Sequence, residues 1–319
     1  MQRRGVFALL VGAGLFAGAA VAAPFAYITN QGSHDVSVID LATQRVVATV
    51  PVGRSPAGVV AVSATGRVFV SNPDSKTISV IAMQTQRVVA TLAAGEGAVG
   101  IDASPDGQRV YAADWYANRL LAFDGVTLAP LPSVAVGRAP AGVAVSDDGK
   151  TVFVAERDDD SVAVIDAATL RVTARVQVGS HPFALLFDAA RQRLYALNVQ
   201  SDDVSVIDIK NQEVIATVAV GKAPYGAALA DGGGLLYVTN QHDDSVSVVD
   251  TTSLRVLRKL GGFGYPEGIA ANGNSVYVVN WMDDRLSVLD ARTGRQTGSI
   301  ATGQNSRGFG AFIGAPTLP

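Results

Sequence analysis

The sequence predicts an all-β fold, a seven-bladed β-propeller of four-stranded antiparallel blades closed by N- and C-terminal strands that share blade 1. Three observations predict it. One short segment recurs at nearly constant spacing, each copy holds four short apolar stretches broken by turn residues, and no long 3.6-residue period occurs.

The recurrence is read from three rows. Tyr27-Ile28-Thr29-Asn30 returns as Tyr237-Val238-Thr239-Asn240, and the closing residue runs Asn30, Asn72, Asp114, Glu156, Asn198, Asn240, Asn280, with five spacings of 42 residues and a last of 40. A second row is Asp40, Asp124, Asp166, Asp208, Asp250 and Asp290, with Ala82 in the second place. A third is Gly53, Gly95, Gly137, Gly179, Gly221 and Gly303. Within the fourth copy the apolar stretches are 142–145, 152–155, 162–165 and 172–178, too short for helices. Asp147-Asp148-Gly149 between the first two is a hairpin signal. In the third stretch Val162 and Val164 alternate with Ala163, so one face is branched and the other small.

A four-stranded unit of this size cannot cover both faces of its own sheet. It must stack on equivalent neighbours, and closing the stack into a ring removes the exposed ends. The chain ends agree with closure. The first strand-like segment, starting at Phe25, matches the second strand of a blade, and residues 308–313 resemble the missing first strand. Residues 23–319 are therefore expected to form a single domain.

Composition narrows the class. Of 319 residues, 48% are hydrophobic and 17% charged, with 33 glycines, 13 prolines and no cysteine, which suits a folded β-rich protein and excludes a disordered or disulfide-stapled one. A formal charge of −3 offers no broad electropositive field, which argues against nucleic-acid binding as the main activity. Residues 1–22 read as a signal peptide: Arg3 and Arg4, an apolar run, then the small-x-small site Ala20-Val21-Ala22. An uncleaved anchor is the alternative, and the paired arginines loosely resemble a twin-arginine signal. The expected location is periplasmic or secreted.

Tyr27-Ile28-Thr29-Asn30, Tyr237-Val238-Thr239-Asn240, the Ser-Val-Ile-Asp runs at Ser37 and Ser205, and the Gly-x-x-Pro-x-Gly loops at Gly53 and Gly137 resemble YVTN-type β-propeller repeats. The resemblance spans residues 25–313 and is specific for fold. It implies an exported protein of bacterial or archaeal type without fixing a role. Similar propellers include lactonases, lyases and quinoprotein dehydrogenase subunits.

Strand order then locates a candidate site. With the Pro-x-Gly strand innermost, the loops after the Gly row and after the Asn row share one rim, which carries Trp115, Tyr116, Trp281, His34, His181 and His242. The residues that begin the inner strands should line the channel mouth: Ala57, Val99, Ala141, Phe183, Tyr225, Glu267 and Arg307. The expected mouth is lopsided, an aromatic and charged wall facing an open side. Candidate ligand-binding residues are Phe183, Tyr225, Glu267, Arg307, Trp281, Trp115, Glu156 and His242. Pairing of Glu267 with Arg307, plugging by Phe183 and Tyr225, and loop packing by the tryptophans are the structural alternatives. A side-chain amide satisfying backbone at each turn accounts for the Asn row, from which Glu156 and Asp114 depart.

No nucleophile elbow, cysteine or histidine spacing supports nucleophilic catalysis, and Gly232-Gly233-Gly234 falls at a hairpin turn rather than a phosphate loop. The Asp runs lack the glycine-spaced pattern of a Ca²⁺ loop, so no metal or cofactor is expected. The expected function is a non-catalytic, monomeric propeller whose upper rim binds a protein, peptide or small ligand, as an accessory to a redox or uptake system. The alternative is an enzyme or enzyme subunit of lactonase, lyase or quinoprotein type, with Glu267 or Glu156 as acid or base and Arg307 holding an anion.

Overall fold

The computed structural model describes residues 24–316. The expected signal peptide, residues 1–22, lies outside them. The described residues form seven four-stranded antiparallel sheets, the blades of a propeller. Blade 4 shows the pattern, running from the channel outward through Pro140–Val145, Thr151–Glu156, Ser161–Asp166 and Arg171–Gln177. Its first two strands meet at the predicted Asp147-Asp148-Gly149 turn, where Gly149 takes φ 69° and donates its N–H to the Ser146 carbonyl. No helix among the described residues is long and apolar enough to cross a membrane.

Each recurring row has a mechanical reason. The aromatic that opens the repeated segment, Tyr27, Phe69, Tyr111, Phe153, Tyr195, Tyr237 or Tyr277, is buried in every blade. Its ring contributes to the apolar clusters that join blades, for example Tyr27 of blade 1 with Val68 and Val70 of blade 2. The Asn side chain points along its blade: Asn240 Nδ2 donates to Ser245 Oγ and Ser247 Oγ, and Asn240 Oδ1 accepts from Gly221 N–H at 3.0 Å. Gly221 closes the preceding blade, and a Cβ there would lie 2.5 Å from Asn240 Cγ. The Gly and Asn rows thus meet at the blade junctions, Gly53 against Asn72, Gly179 against Asn198 and Gly303 against Asn30 as well, while of the Asn residues only Asn240 accepts from a glycine N–H. Thr29, Ser71 and Thr239 make a second contact between blades. Each donates to the inner-strand carbonyl of the next blade, at Ala57, Val99 and Glu267, at 2.7–3.0 Å.

Closure uses both termini as expected, with one difference. Ile313–Gly314 pairs with Phe25 and Ala26, which completes blade 1. Upstream, the segment breaks from regular strand and leans on blade 2 instead, where Val59 N–H and Ala61 N–H donate to the carbonyls of Phe309 and Ala311. Gly310 permits this. Its φ is 120°, and a Cβ there would lie 2.4 Å from the Val59 carbonyl oxygen. The consequence is that Phe309 is delivered into the channel, where it is 6% exposed.

Candidate functional site

The channel mouth collects four of the eight candidate residues. Phe183, Tyr225 and Glu267 begin the inner strands of blades 5, 6 and 7, and Arg307 enters from the C-terminal segment. Phe183 and Tyr225 stack with ring centroids 4.5 Å apart, and Phe309 lies 5.0 Å from Phe183 and 5.8 Å from Tyr225. The Arg307 guanidinium lies 5.6 Å from the Tyr225 ring centre, and its Nη2 donates to the Tyr225 hydroxyl. Arg307 Nε is 3.0 Å from Glu267 Oε2, an ion contact without hydrogen-bond geometry, while Gln241 Nε2 donates to Glu267 Oε1 at 2.7 Å.

This arrangement corrects the expectation of an open-sided mouth. The large rings lean across the small side chains of blades 3 and 4, so that Phe183, Tyr225 and Phe309 share one apolar cluster with Ala141, Val99 and Trp115. Burial of aromatic area drives that collapse. The mouth is a plug. Burial pushes the Glu267 carboxyl up to about 7 against the opposing pull of Arg307 and the Gln241 amide. The Tyr225 phenol is likewise raised by burial.

The remaining candidates divide. Trp115 packs on Phe183 with centroids 6.2 Å apart and carries the Arg157 guanidinium on its ring at 5.6 Å, so it joins the edge of the plug. Trp281 and His242 form a separate rim row through Tyr265, with successive ring centroids 5.6 and 5.5 Å apart. His242 Nε2 and the Tyr265 hydroxyl are hydrogen-bonded, and Trp281 Nε1 donates to Gln31 Oε1 of blade 1. Glu156 joins neither group. It is fully buried and aims outward along blade 4, accepting from Gly137 N–H, Ser161 Oγ and Arg175 Nε. It is the charged counterpart of Asn240, with Arg175 on the outermost strand compensating the carboxylate; Asp114 is compensated by Arg119, on the third strand of blade 3.

Sequence reasoning missed three members of this surface. Gln241 follows the repeated segment directly, Tyr265 precedes the loop proline Pro266, and Phe309 sits in the C-terminal segment. The first two stand beside positions already singled out; Phe309 depends on the backbone course through Gly308 and Gly310.

A second feature occupies the opposite end of the channel. Below Phe309 a cavity of about 480 Å³ runs to the hairpin turns at Asp147 and Ala189. Its walls are inner strands of blades 3 to 7 and the C-terminal segment, and its lining side chains are apolar apart from Asp102 and Asp147.

Two family models match parts of the chain. One, described as "Lactonase, 7-bladed beta-propeller", matches residues 125–214, and the other, described as "Cytochrome D1 heme domain", matches residues 22–146. No curated protein matches the chain. Among solved structures, hydrazine synthase of Kuenenia stuttgartiensis superposes with a TM-score of 0.75 at 18% identity, over 88% of this chain and 98% of the other. A functionally unknown protein from Desulfotomaculum acetoxidans gives 0.78 at 17% identity, over 92% and 99%. Dihydro-heme d1 dehydrogenase NirN in complex with DHE gives 0.68 at 14% identity, over 89% and 74%. At these identities the likeness is one of fold. The two matches overlap at residues 125–146 and each covers less than half of the chain.

A haem would require an axial ligand beside a flat cleft. The three histidines are instead engaged within rim loops: His34 Nδ1 accepts from Ser55 N–H, His181 Nδ1 pairs with Ser180 Oγ, and His242 Nε2 pairs with Tyr265. The plug of Phe183, Tyr225 and Phe309 fills the mouth, so the upper end of the channel holds no flat cleft for such a group. Nor does any cluster of three or more His, Cys, Asp or Glu suited to a metal occur among the described residues.

Proposed function

We propose that the protein is an exported YVTN-type propeller that binds a protein or peptide partner on its upper rim. The carrying observation is the rim built over a closed mouth. A plug of interlocked aromatic and charged side chains leaves no deep pocket there, while Tyr116 and Met282 stand 73% and 63% exposed beside Trp115 and Trp281. Aromatic groups with polar tips on rigid loops suit a broad contact surface rather than an enclosed ligand.

A catalytic or cofactor-handling role is the second reading, and the comparisons favour it over the first. The matched family descriptions name a lactonase and a haem domain, and two of the similar structures bear enzyme names. In this chain that reading would rest on Glu267, whose carboxyl is held near neutrality beside Arg307.

One experiment separates them. Mature protein and a Tyr116→Ala, Trp281→Ala, Met282→Ala variant are used to capture partners from periplasmic extract and are also incubated with a panel of lactones. The binding reading expects a stoichiometric partner retained by the wild type and lost by an equally stable variant, with no lactone turnover. Turnover abolished by Glu267→Gln, with the rim variant fully active, would establish the second reading instead.

A further inference from the structure

Asp102 occupies a place in the fold where no other blade has a polar group. Counted three residues on from the mouth position of each inner strand, the ring reads Val60, Asp102, Ala144, Leu186, Ala228, Ala270 and Gly310. Six blades satisfy this layer with apolar groups or none, so the architecture does not require a carboxyl here. The side chain is half-buried on the wall of the lower cavity, among Ile101, Val143 and the inner strands opposite. Its Oδ1 accepts from Ala103 N–H at 2.8 Å and its Oδ2 from Val145 N–H at 2.9 Å. Each oxygen keeps a further lone pair, and neither has a cationic partner. The only other charged side chain on the lining is Asp147, exposed at the lower lip, and no Lys, Arg or His contributes to the wall.

We propose that this funnel is a binding site for a small organic ammonium ion with an apolar body, its charge held by Asp102 and its body by the Ala, Val, Leu and Phe side chains of blades 4 to 7. The chemistry of the wall selects this class. An anion would meet two carboxyls and no donor side chain. A bare metal ion would find a single carboxylate among apolar groups, far short of a coordination shell. An ammonium carried on a hydrocarbon body meets an acceptor and buries apolar area together. The site is independent of the upper rim, from which the plug separates it.

Protonation supplies a signature that simple hydrophobic binding lacks. Burial pushes the Asp102 carboxyl up to about 7, against the lowering effect of its two backbone donors. Below that pH the empty site is mostly neutral, and an arriving cation must displace the carboxyl proton. Affinity therefore rises with pH and levels off above neutrality, by roughly 100-fold between pH 5 and pH 8.

The probe is 2-phenylethylammonium, with 2-phenylethanol and 3-phenylpropanoate as neutral and anionic analogues, titrated into the full mature protein by calorimetry at pH 6 in two buffers of different ionisation enthalpy. The expected result is saturable binding of the ammonium ion with release of close to one proton, at least tenfold weaker binding of the alcohol, and none of the acid. Asp102→Asn should weaken the ammonium ion at least tenfold and abolish the proton release. Ala271→Phe, which fills the funnel and leaves Asp102 in place, should abolish binding of both the ammonium ion and the alcohol. Equal binding of the three probes, absence of any binding at millimolar concentration, or ammonium binding unchanged in Asp102→Asn would each overturn the proposal.

Discussion

At its upper end the central channel is filled: Phe183, Tyr225 and Phe309 pack on one another, and Glu267, Arg307 and Gln241 pair among themselves. At its lower end the same inner strands leave about 480 Å³ empty, with one carboxyl on an apolar wall that has backbone donors but no cation beside it. The two ends hold comparable chemistry, an acid whose carboxyl is raised to about 7 in each, yet only the upper acid has a cation beside it. What differs is charge: the upper acid has a guanidinium 3.0 Å away, whereas the lower one, although it accepts two backbone hydrogen bonds, has no counter-ion, and such a carboxylate is where a cationic ligand gains most. That difference separates the surface binding proposed for the rim from the interior binding proposed for the funnel.

The most direct way to break the comparison is to remove the cation from the plug. Arg307→Ala leaves Glu267 buried with only Gln241 and strips a ring contact from Tyr225. If the mouth is structural, urea unfolding should show a loss of about 3–5 kcal/mol, in the range found when one partner of a buried pair is deleted. A loss below about 1 kcal/mol would mean that Arg307 is held ready for a ligand and that the plug opens.

The second effect is smaller and concerns the funnel. Asp102 carries its proton up to about pH 7 in the folded chain but only to about pH 4 when unfolded. Between those values the folded state binds more protons, so this group's contribution to stability declines as pH rises and is flat outside the window. Half-buried turn aspartates such as Asp124 and Asp166, whose carboxyls are lowered by hydrogen bonds from Thr127 and Thr169, act in the opposite sense. The measurement is therefore a difference: Asp102→Asn keeps only one of the two acceptors, so it should be less stable than the wild type by about 1–2 kcal/mol near pH 4, and the opposing linkage of about 4 kcal/mol should make it more stable by about 2 kcal/mol at pH 7.5. A constant difference across the range would show that Asp102 titrates normally and lies in open water.

How much of this was legible in the sequence follows the same division. The ring of seven blades is written in rows of Asn, Asp and Gly at fixed spacing, and the mouth positions follow from strand order, so Phe183, Tyr225, Glu267 and Arg307 could be placed together before any coordinates. The closing of the mouth could not, because it depends on side-chain directions and on a backbone turn at Gly310 that carries Phe309 inward. Glu156 misled for a related reason: its register is that of Asn240, but the direction of a carboxylate toward Arg175 is a matter of rotamer. Two signals were present and not used. The buried aromatic row from Tyr27 to Tyr277 recurs in all seven blades, and Asp102 is the lone polar residue in a register otherwise apolar. Neither depends on geometry; what the sequence could not supply for Asp102 is the empty space in front of it.

The smallest predicted effect sharpens why the upper end is firm. Thr239 Oγ1 donates to the Glu267 carbonyl at 2.7 Å and accepts from Gly226 N–H at 2.8 Å, tying the strand that carries Tyr225 to the one that carries Glu267. Thr239→Val keeps the shape but orphans both backbone groups in a buried setting, which should cost about 1–3 kcal/mol. The equivalent position of blade 7 is Val279, and there the backbone makes the link unaided, Gly268 N–H donating to the Arg307 carbonyl at 3.0 Å. Val279→Thr therefore introduces a hydroxyl where that carbonyl is already engaged, and desolvation of the hydroxyl should make it neutral to mildly destabilising, by up to about 1 kcal/mol. The pair is read by chemical denaturation of the two single variants. Equal and opposite effects would mean that the hydroxyl stabilises wherever it is placed; the unequal effects expected here would locate the inter-blade clamp in the carbonyl it satisfies, and so in the end of the channel that the plug has already closed.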